Sequence, residues 1–430
     1  MFTGFNPKPT VLLCTVLTGM LLNAHIAYAA PTQAQTLRNL SAFLAQVENK
    51  HPRLKINQAQ LEAAKARTRA ASQPLYNPEI DLDAERVSFN RNGRSEAVTV
   101  GLSKTFDWHD KRSARRNAAI IAEKVVQSDK ENTRQLLIAR VFSALADYQA
   151  QREVIQAHAK RLNLAKKMLA QAQRLYKSGE ISRLEMEQIR LSHTRAQLTL
   201  NQAKTSLASR AQALVTTSGY APKNWPALPY APPRIQAHKL NYERIVNNLP
   251  ALKTQTMRIA QARSEMRLRV REKKADPTIG VRVGADDSEE VLGLTLSIPL
   301  HVYNTFQAEV DEARANIKVA ESTLDNDKYR LKSQLRSAAQ TYQLTYQSWQ
   351  SWRNIASKSL KNQSQLLMRL WRSGELSTSD YLVQLNQIRE AELNNVELKG
   401  NVWKAWFNWL AMSNQFKQWL KGSLIKPNYF

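Results

Sequence analysis

Two short runs of strict apolar–polar alternation, each followed by a very long stretch with no helix breaker, occur twice along the chain. In the first half Ile80, Leu82 and Ala84 alternate with Asp81, Asp83 and Glu85. Val98, Val100, Leu102, Phe106 and Trp108 then alternate with Thr99, Ser103, Thr105 and Asp107. In the second half Ile279, Val281, Val283 and Ala285 alternate with Gly280, Arg282 and Gly284, and Leu292 to Leu300 alternate with Gly293, Thr295, Ser297 and Pro299. A period of two predicts strands with one apolar face. The polar connections Asn90–Glu96 and Asp286–Glu290 predict a hairpin in each half. Asn77-Pro78 and Asp276-Pro277 open the two hairpins, as proline's bias toward extended backbone at the preceding residue favours.

The intervening residues predict helix. Neither Asp110–Lys177 nor Phe306–Ser373 contains a Gly or Pro. Each run of about 68 residues would reach about 100 Å at about 1.5 Å per residue. Such length calls for coiled-coil packing. Leu162, Ala165, Leu169, Ala172 and Tyr176 step in the expected 3-4 rhythm, continued by Ile181, Leu184, Gln188 and Leu191. Both long runs end in the same corner: RLYKSGEIS from Arg174 and RLWRSGELS from Arg369. His51-Pro-Arg-Leu-Lys55 likewise echoes Leu249-Pro-Ala-Leu-Lys253.

The chain is therefore read as a duplication. Repeat 1 spans 30–218, with a hairpin at 78–108, a long helix at 110–177 and a returning helix at 181–218. Repeat 2 spans 240–413, with a hairpin at 277–301, a long helix at 306–373 and a returning helix at 376–413. A Pro- and aromatic-rich linker at 219–239 joins them, and a basic tail follows at 414–430.

Composition adds a location. Met1–Ala30 carries one charge, Lys8, an apolar stretch from Val11 to Leu22, and a small-x-small site at Ala27-Tyr28-Ala29. That pattern predicts a cleaved signal peptide at 1–29 and export. The only cysteine, Cys14, lies inside it behind Leu13, so no lipid anchor and no disulfide is expected. No later stretch is long and apolar enough for a transmembrane helix, which leaves a β-barrel as the way to span a membrane. Four strands cannot close alone, and membrane barrels begin at about eight. A dimer would give eight strands and a filled interior; a trimer gives twelve strands and a lumen, and a pore favours the trimer. A water-soluble hairpin packed on one face alternates in the same way; the signal sequence and duplicated long helices favour the barrel.

Here the sequence resembles the TolC-type outer-membrane efflux family. Asn77-Pro78, GLSKTFDWHDKRSARRNAA from Gly101, GLTLSIPLHVYNTFQAEVDEARAN from Gly293 and the two corners carry the resemblance. The run Phe106–Ala119 looks most like the heavy-metal, CzcC-like branch. The resemblance implies an α+β fold of mainly long helices forming a coiled-coil α-barrel, with four strands per chain in a homotrimeric twelve-stranded transmembrane barrel. It implies an outer-membrane exit duct reaching into the periplasm, whose partners are outer-membrane lipid, a periplasmic adaptor protein and an inner-membrane pump. On this reading Arg174, Leu175, Gly179, Ser182, Arg369, Leu370, Gly374 and Ser377 form an adaptor-docking tip. Asp380, and by its equal offset Glu185, would guard the periplasmic entrance. Glycine suits the left-handed residue that stops a helix, and each serine suits the next helix's N-cap.

Alternation places Asp81, Asp83 and Glu85, with Glu79, on the polar face, hence the lumen, against few bases (Arg282 and Arg86). Carboxylate rings attract cations. Yet the formal net charge is +26, so the excess basic residues sit on the helices, Arg112, Arg115, Arg116, Lys166 and Lys167 among them. A basic outer face suits anionic polymers or lipid phosphates. Seven scattered His residues, no cysteine partner and no glycine-rich phosphate loop exclude a recognisable catalytic, metal or cofactor site. No enzyme activity, cofactor or nucleic-acid partner is expected. A secreted basic coiled-coil protein that binds polyanions is the alternative; it explains the charge but not the duplicated hairpins. A periplasmic adaptor would need a lipoyl-like β domain, and none is visible.

Overall fold

The computed structural model describes residues 33–423 except 90–92 and 287–288. The expected signal peptide, parts of both hairpin connections and the last residues of the tail lie outside the described residues.

The chain opens with α1 (Gln33–Lys50) and α2 (Pro52–Ala71), followed by β1 (Glu79–Phe89) and β2 (Gly93–Thr105). The long helix α3 (Lys111–Lys177) and its returning partner α4 (Arg183–Ser218) complete the first half. After the linker come a short α5 (Tyr242–Asn247), α6 (Pro250–Glu272), β3 (Thr278–Asp286) and β4 (Glu289–Ser297). Then α7 (Gln307–Arg372), α8 (Thr378–Ser413) and the short α9 (Phe416–Leu420) close the chain. The order α2–β1–β2–α3–α4 thus recurs as α6–β3–β4–α7–α8. Pro52 and Pro250 occupy the first turn of α2 and α6, where a missing N–H costs nothing.

The long helices have 67 and 66 residues, each about 100 Å by helical rise. Both start from an unusual residue: Asp110 (φ 57°) and Phe306 (φ 52°) are left-handed. The free amides of α3 are met from further back, where the Asp107 carboxylate accepts from the backbone of Lys111 at 2.7 Å and Arg112 at 2.8 Å. Both strand runs stop earlier than their alternation suggested, at Thr105 and Ser297, so Trp108, Ile298 and Leu300 lie past the ladders.

The main core joins both halves at mid-height. Phe142 of α3 lies against Phe407 (5.2 Å between ring centroids) and Phe416 (5.5 Å). Trp403, Trp406, Trp409 and Trp419 are buried with them. The linker joins this core, with Trp225 edge-on to Phe43 at 5.8 Å. A second core near the corners contains Met168, Ala172, Met186, Ile189, Leu367, Trp371, Tyr381 and Ile388. The sequence-based seam is followed in part: Ala172 is buried and Leu169 and Ile181 pack against this core, but Tyr176, Leu184 and Leu191 are exposed. The pair α3–α4 packs on α8 as well as on itself, and the residues of α4 buried there are Met186 and Ile189. Among the described residues no helix is long and apolar enough to cross a membrane.

Candidate functional site in the sheet, the junction and the corners

The four strands form one antiparallel sheet in the order β1-β2-β3-β4. Register aligns the alternation across all four. Ile80, Leu102, Val281 and Leu294 make one row; Leu82, Val100, Val283 and Leu292 make the next. Ile279 and Leu296 extend the same face. From Ile279 to Ala285 this face covers about 20 Å at about 3.4 Å per residue. Its side chains are bare in the single chain, with Ile80 78% and Leu294 82% exposed. Charge bounds it at both ends, by Lys104 at one and an Arg86–Glu96 ion pair (2.6 Å) at the other. Arg86 therefore shares the apolar face, not the polar one: it is an even-numbered residue in register with Ile80 and Leu82.

The opposite face carries Asp81, Asp83 and Glu85. Asp81 is paired with Gly101, and Gly101 with Arg282, so the acid and the base share a row with only a glycine between them. Asp81 also accepts from the Ser103 hydroxyl at 3.1 Å.

Where sheet meets helices there is a buried charge cluster that sequence reasoning missed. Asp276, 5% exposed, accepts from Tyr76 Oη at 2.8 Å and pairs with Lys111 Nζ at 3.0 Å. His109 Nδ1 lies 3.5 Å from its other oxygen. Burial alone would raise the Asp276 carboxyl; hydrogen bonds from Lys111 and Tyr76 outweigh it and hold the carboxyl below its usual range. Burial, then the hydrogen bond to Asp276, pushes the Tyr76 phenol up to about 12. The cluster ties the approach to β1, the start of α3 and the approach to β3. His301, at the matching end of β4, instead meets the Lys273 carbonyl at 2.8 Å.

The corners at the far end are built as the sequence implied. Gly179 (φ 80°) and Gly374 (φ 78°) are left-handed, and nothing lies within 4 Å of where a Cβ would sit. The Glu180 and Glu375 amides donate back to Leu175 and Leu370 carbonyls at 2.9 and 3.0 Å, which closes each helix end. Ser182 and Ser377 are N-caps, accepting from the Glu185 and Asp380 amides. Glu185 completes a capping box and also accepts from Thr378 Oγ1 at 2.9 Å. Trp371 Nε1 donates to the same Thr378 hydroxyl at 3.2 Å, so a relay ties one corner to the other. The Ser182 backbone amide, and next the Thr378 hydroxyl, hold the Glu185 carboxyl below its usual range. Asp380 is exposed and accepts from Ser377 Oγ at 2.7 Å. The duplication is unequal here: Trp371 is buried, stacked on Tyr381 at 5.3 Å, whereas its counterpart Tyr176 is 44% exposed. Arg174 and Arg369 are exposed, Leu175 and Leu370 half-buried. Among the described residues no group of three or more His, Cys, Asp or Glu could hold a metal ion.

A four-stranded sheet mounted on two long helical hairpins is the protomer fold of TolC-type channels. Residues 43–220 match the outer membrane efflux protein family. No curated protein matches the chain by sequence. The structure of CusC, described for changes accompanying folding and transmembrane channel formation, superposes with a TM-score of 0.74 at 14% identity over 90% of this chain and 95% of that one. The CmeC outer membrane channel of Campylobacter jejuni gives 0.69 at 15% identity, over 91% and 87%. The outer membrane protein VceC of Vibrio cholerae gives 0.68 at 14%, over 89% and 99%. The sequence match to the outer membrane efflux protein family is thus confined to residues 43–220, while the likeness of fold extends over about nine-tenths of the chain.

Proposed function

We propose that the chain is the outer-membrane exit duct of a tripartite efflux system, passively conducting substrates handed over by a periplasmic adaptor and an inner-membrane pump. One observation carries the reading: an apolar sheet face, bounded by charge at both ends, with β1 and β4 each left with an unpaired edge. In lipid those edges must pair, and β4 of one copy meeting β1 of the next closes the sheet. Three copies give twelve strands, enough for an open lumen. Exposed Tyr176, Leu184 and Leu191 would then seal neighbouring protomers along the helical duct.

Asp81, Asp83 and Glu85 line the lumen on this assignment, three copies of each. The wild type is expected to run as a heat-labile trimer from the outer-membrane fraction and to form cation-preferring channels in planar bilayers. Asp81→Asn with Asp83→Asn is expected to lower cation over anion permeability severalfold. A soluble monomer would sink the duct; unchanged selectivity would sink the face assignment.

Asp380 would form a threefold ring at the periplasmic entrance. Since Glu185 is held by its cap and by Thr378, Asp380 is the better gate. Asp380→Ala is expected to raise single-channel conductance, and an unchanged conductance would remove it from the constriction. The heavy-metal likeness of Phe106–Ala119 makes metal ions the first cargo to test.

A further inference from the structure

We infer that the sheet-proximal ends of the helices form a cationic collar that binds anionic phospholipid headgroups of the leaflet facing the periplasm. This rests on the exit-duct reading, which puts the sheet in the membrane. The collar lies where the sheet gives way to helices, and three strongly basic segments approach one another there. Residues 65–69 hold three bases and no acid, and residues 111–116 four and none. Residues 263–274 hold six bases against two acids. The sheet beside them has the opposite sign, with Glu79, Asp81, Asp83 and Glu85 in β1 alone.

Structure packs these three segments side by side over the first turns below the sheet, with Thr68 opposite Ala119 and Glu123 of α3. Arg112 Nε donates to the Ser72 carbonyl at 2.8 Å, and an Arg271 Nη donates to His109 O at 2.5 Å. Those arginines are engaged in holding the junction. Arg67, Arg69, Arg116, Arg267 and Lys274 are not: all five are exposed, and no side-chain hydrogen bond or ion pair engages them among the described residues. Unpaired cations gathered on adjoining helices repel one another, and an anionic surface beside them would relieve that repulsion.

A second observation points to lipid rather than to a soluble polyanion. Just past the strand ends stand exposed aromatic and aliphatic side chains, Trp108 (73%), Val302 (72%) and Tyr303, which is fully bare. Trp and Tyr at this position mark a membrane–water interface. The five free cations lie on the water side of that belt, spread over the first turns of the helices from Lys274 down to Arg67. Basic groups beside a membrane surface are attracted to anionic lipid over about a Debye length.

The test uses the purified full-length protein in phosphatidylcholine nanodiscs with and without phosphatidylglycerol, with bound lipids counted by native mass spectrometry. The comparison is with R67Q/R69Q/R116Q/R267Q/K274Q, and single-channel conductance is measured in the same lipids. The wild type is expected to retain phosphatidylglycerol over phosphatidylcholine, and the variant to lose roughly tenfold of that preference, with conductance in neutral lipid unchanged. Equal preference in wild type and variant overturns the collar while leaving the duct standing. Failure of the wild type to insert in either lipid overturns both. Loss of heparin retention in the variant with lipid preference intact assigns the collar to soluble polyanions and overturns the lipid reading.

Discussion

Gly179→Leu combined with Gly374→Leu is expected to leave assembled trimers in the outer membrane and abolish export. Both glycines are left-handed, so each leucine adds about 1–2 kcal/mol of local strain. No neighbour lies within 4 Å of the new Cβ, so nothing is displaced. The Ser182 and Ser377 caps and the Met186–Trp371–Tyr381 core stay in place. What changes is the surface: six leucines would project from the periplasmic end of a trimer, where an adaptor is proposed to dock. Trimer content on unheated gels and export in cells lacking other exit ducts measure the two effects separately. Normal export would mean that the corners only turn the chain.

Asp276→Ala is expected to have the largest effect on stability. It strands Lys111, whose side chain is only 12% exposed, and removes the acceptor for Tyr76. Removing one partner of a buried pair costs about 3–5 kcal/mol because the remaining charge is uncompensated. The trimer's dissociation temperature is the measurement. Asp276→Leu with Lys111→Met is expected to recover much of the loss, since neither charge is then left alone. If the single and double variants fall equally, burial of an unpaired charge is not the cause. The pH dependence has a definite sign. A carboxyl held low in the folded state stabilises above its ordinary range and loses that stabilisation as pH falls through its folded value. The Tyr76 phenol, held at about 12, adds the mirror effect: its contribution is intact below about 10 and is lost toward 12. The Asp276→Ala trimer is accordingly expected to show a flatter acid limb than the wild type.

Local rules made the fold legible. Alternation located all four strands, the absence of Gly and Pro bounded α3 and α7 to within a residue, and Ser-Gly-Glu located both corners. The polar-face placement of Asp81, Asp83 and Glu85 followed from parity alone. The rest depended on partners far apart in sequence. Tyr76, Lys111 and Asp276 look ordinary in their own segments, and only the closing of the sheet brings them within 3 Å. In its own segment Asp276 is only the residue before a proline, and its depth has no local signal. The seam was legible only in part for a related reason, because a heptad reads one partner and the α3–α4 pair also packs on α8. Arg86 was misplaced although parity already fixed its face.

Equal arm length sets a rule for how such a chain can change. The helices α3 and α7 differ by one residue, and α4 and α8 have 36 each. Each inserted residue would raise one set of corners by about 1.5 Å relative to the other and rotate it by about 100°. A change tolerated in one arm thus requires a matching change in the arm it was copied from. The two halves are free to diverge in side chains, as Trp371 and Tyr176 have, but are bound to keep a common length.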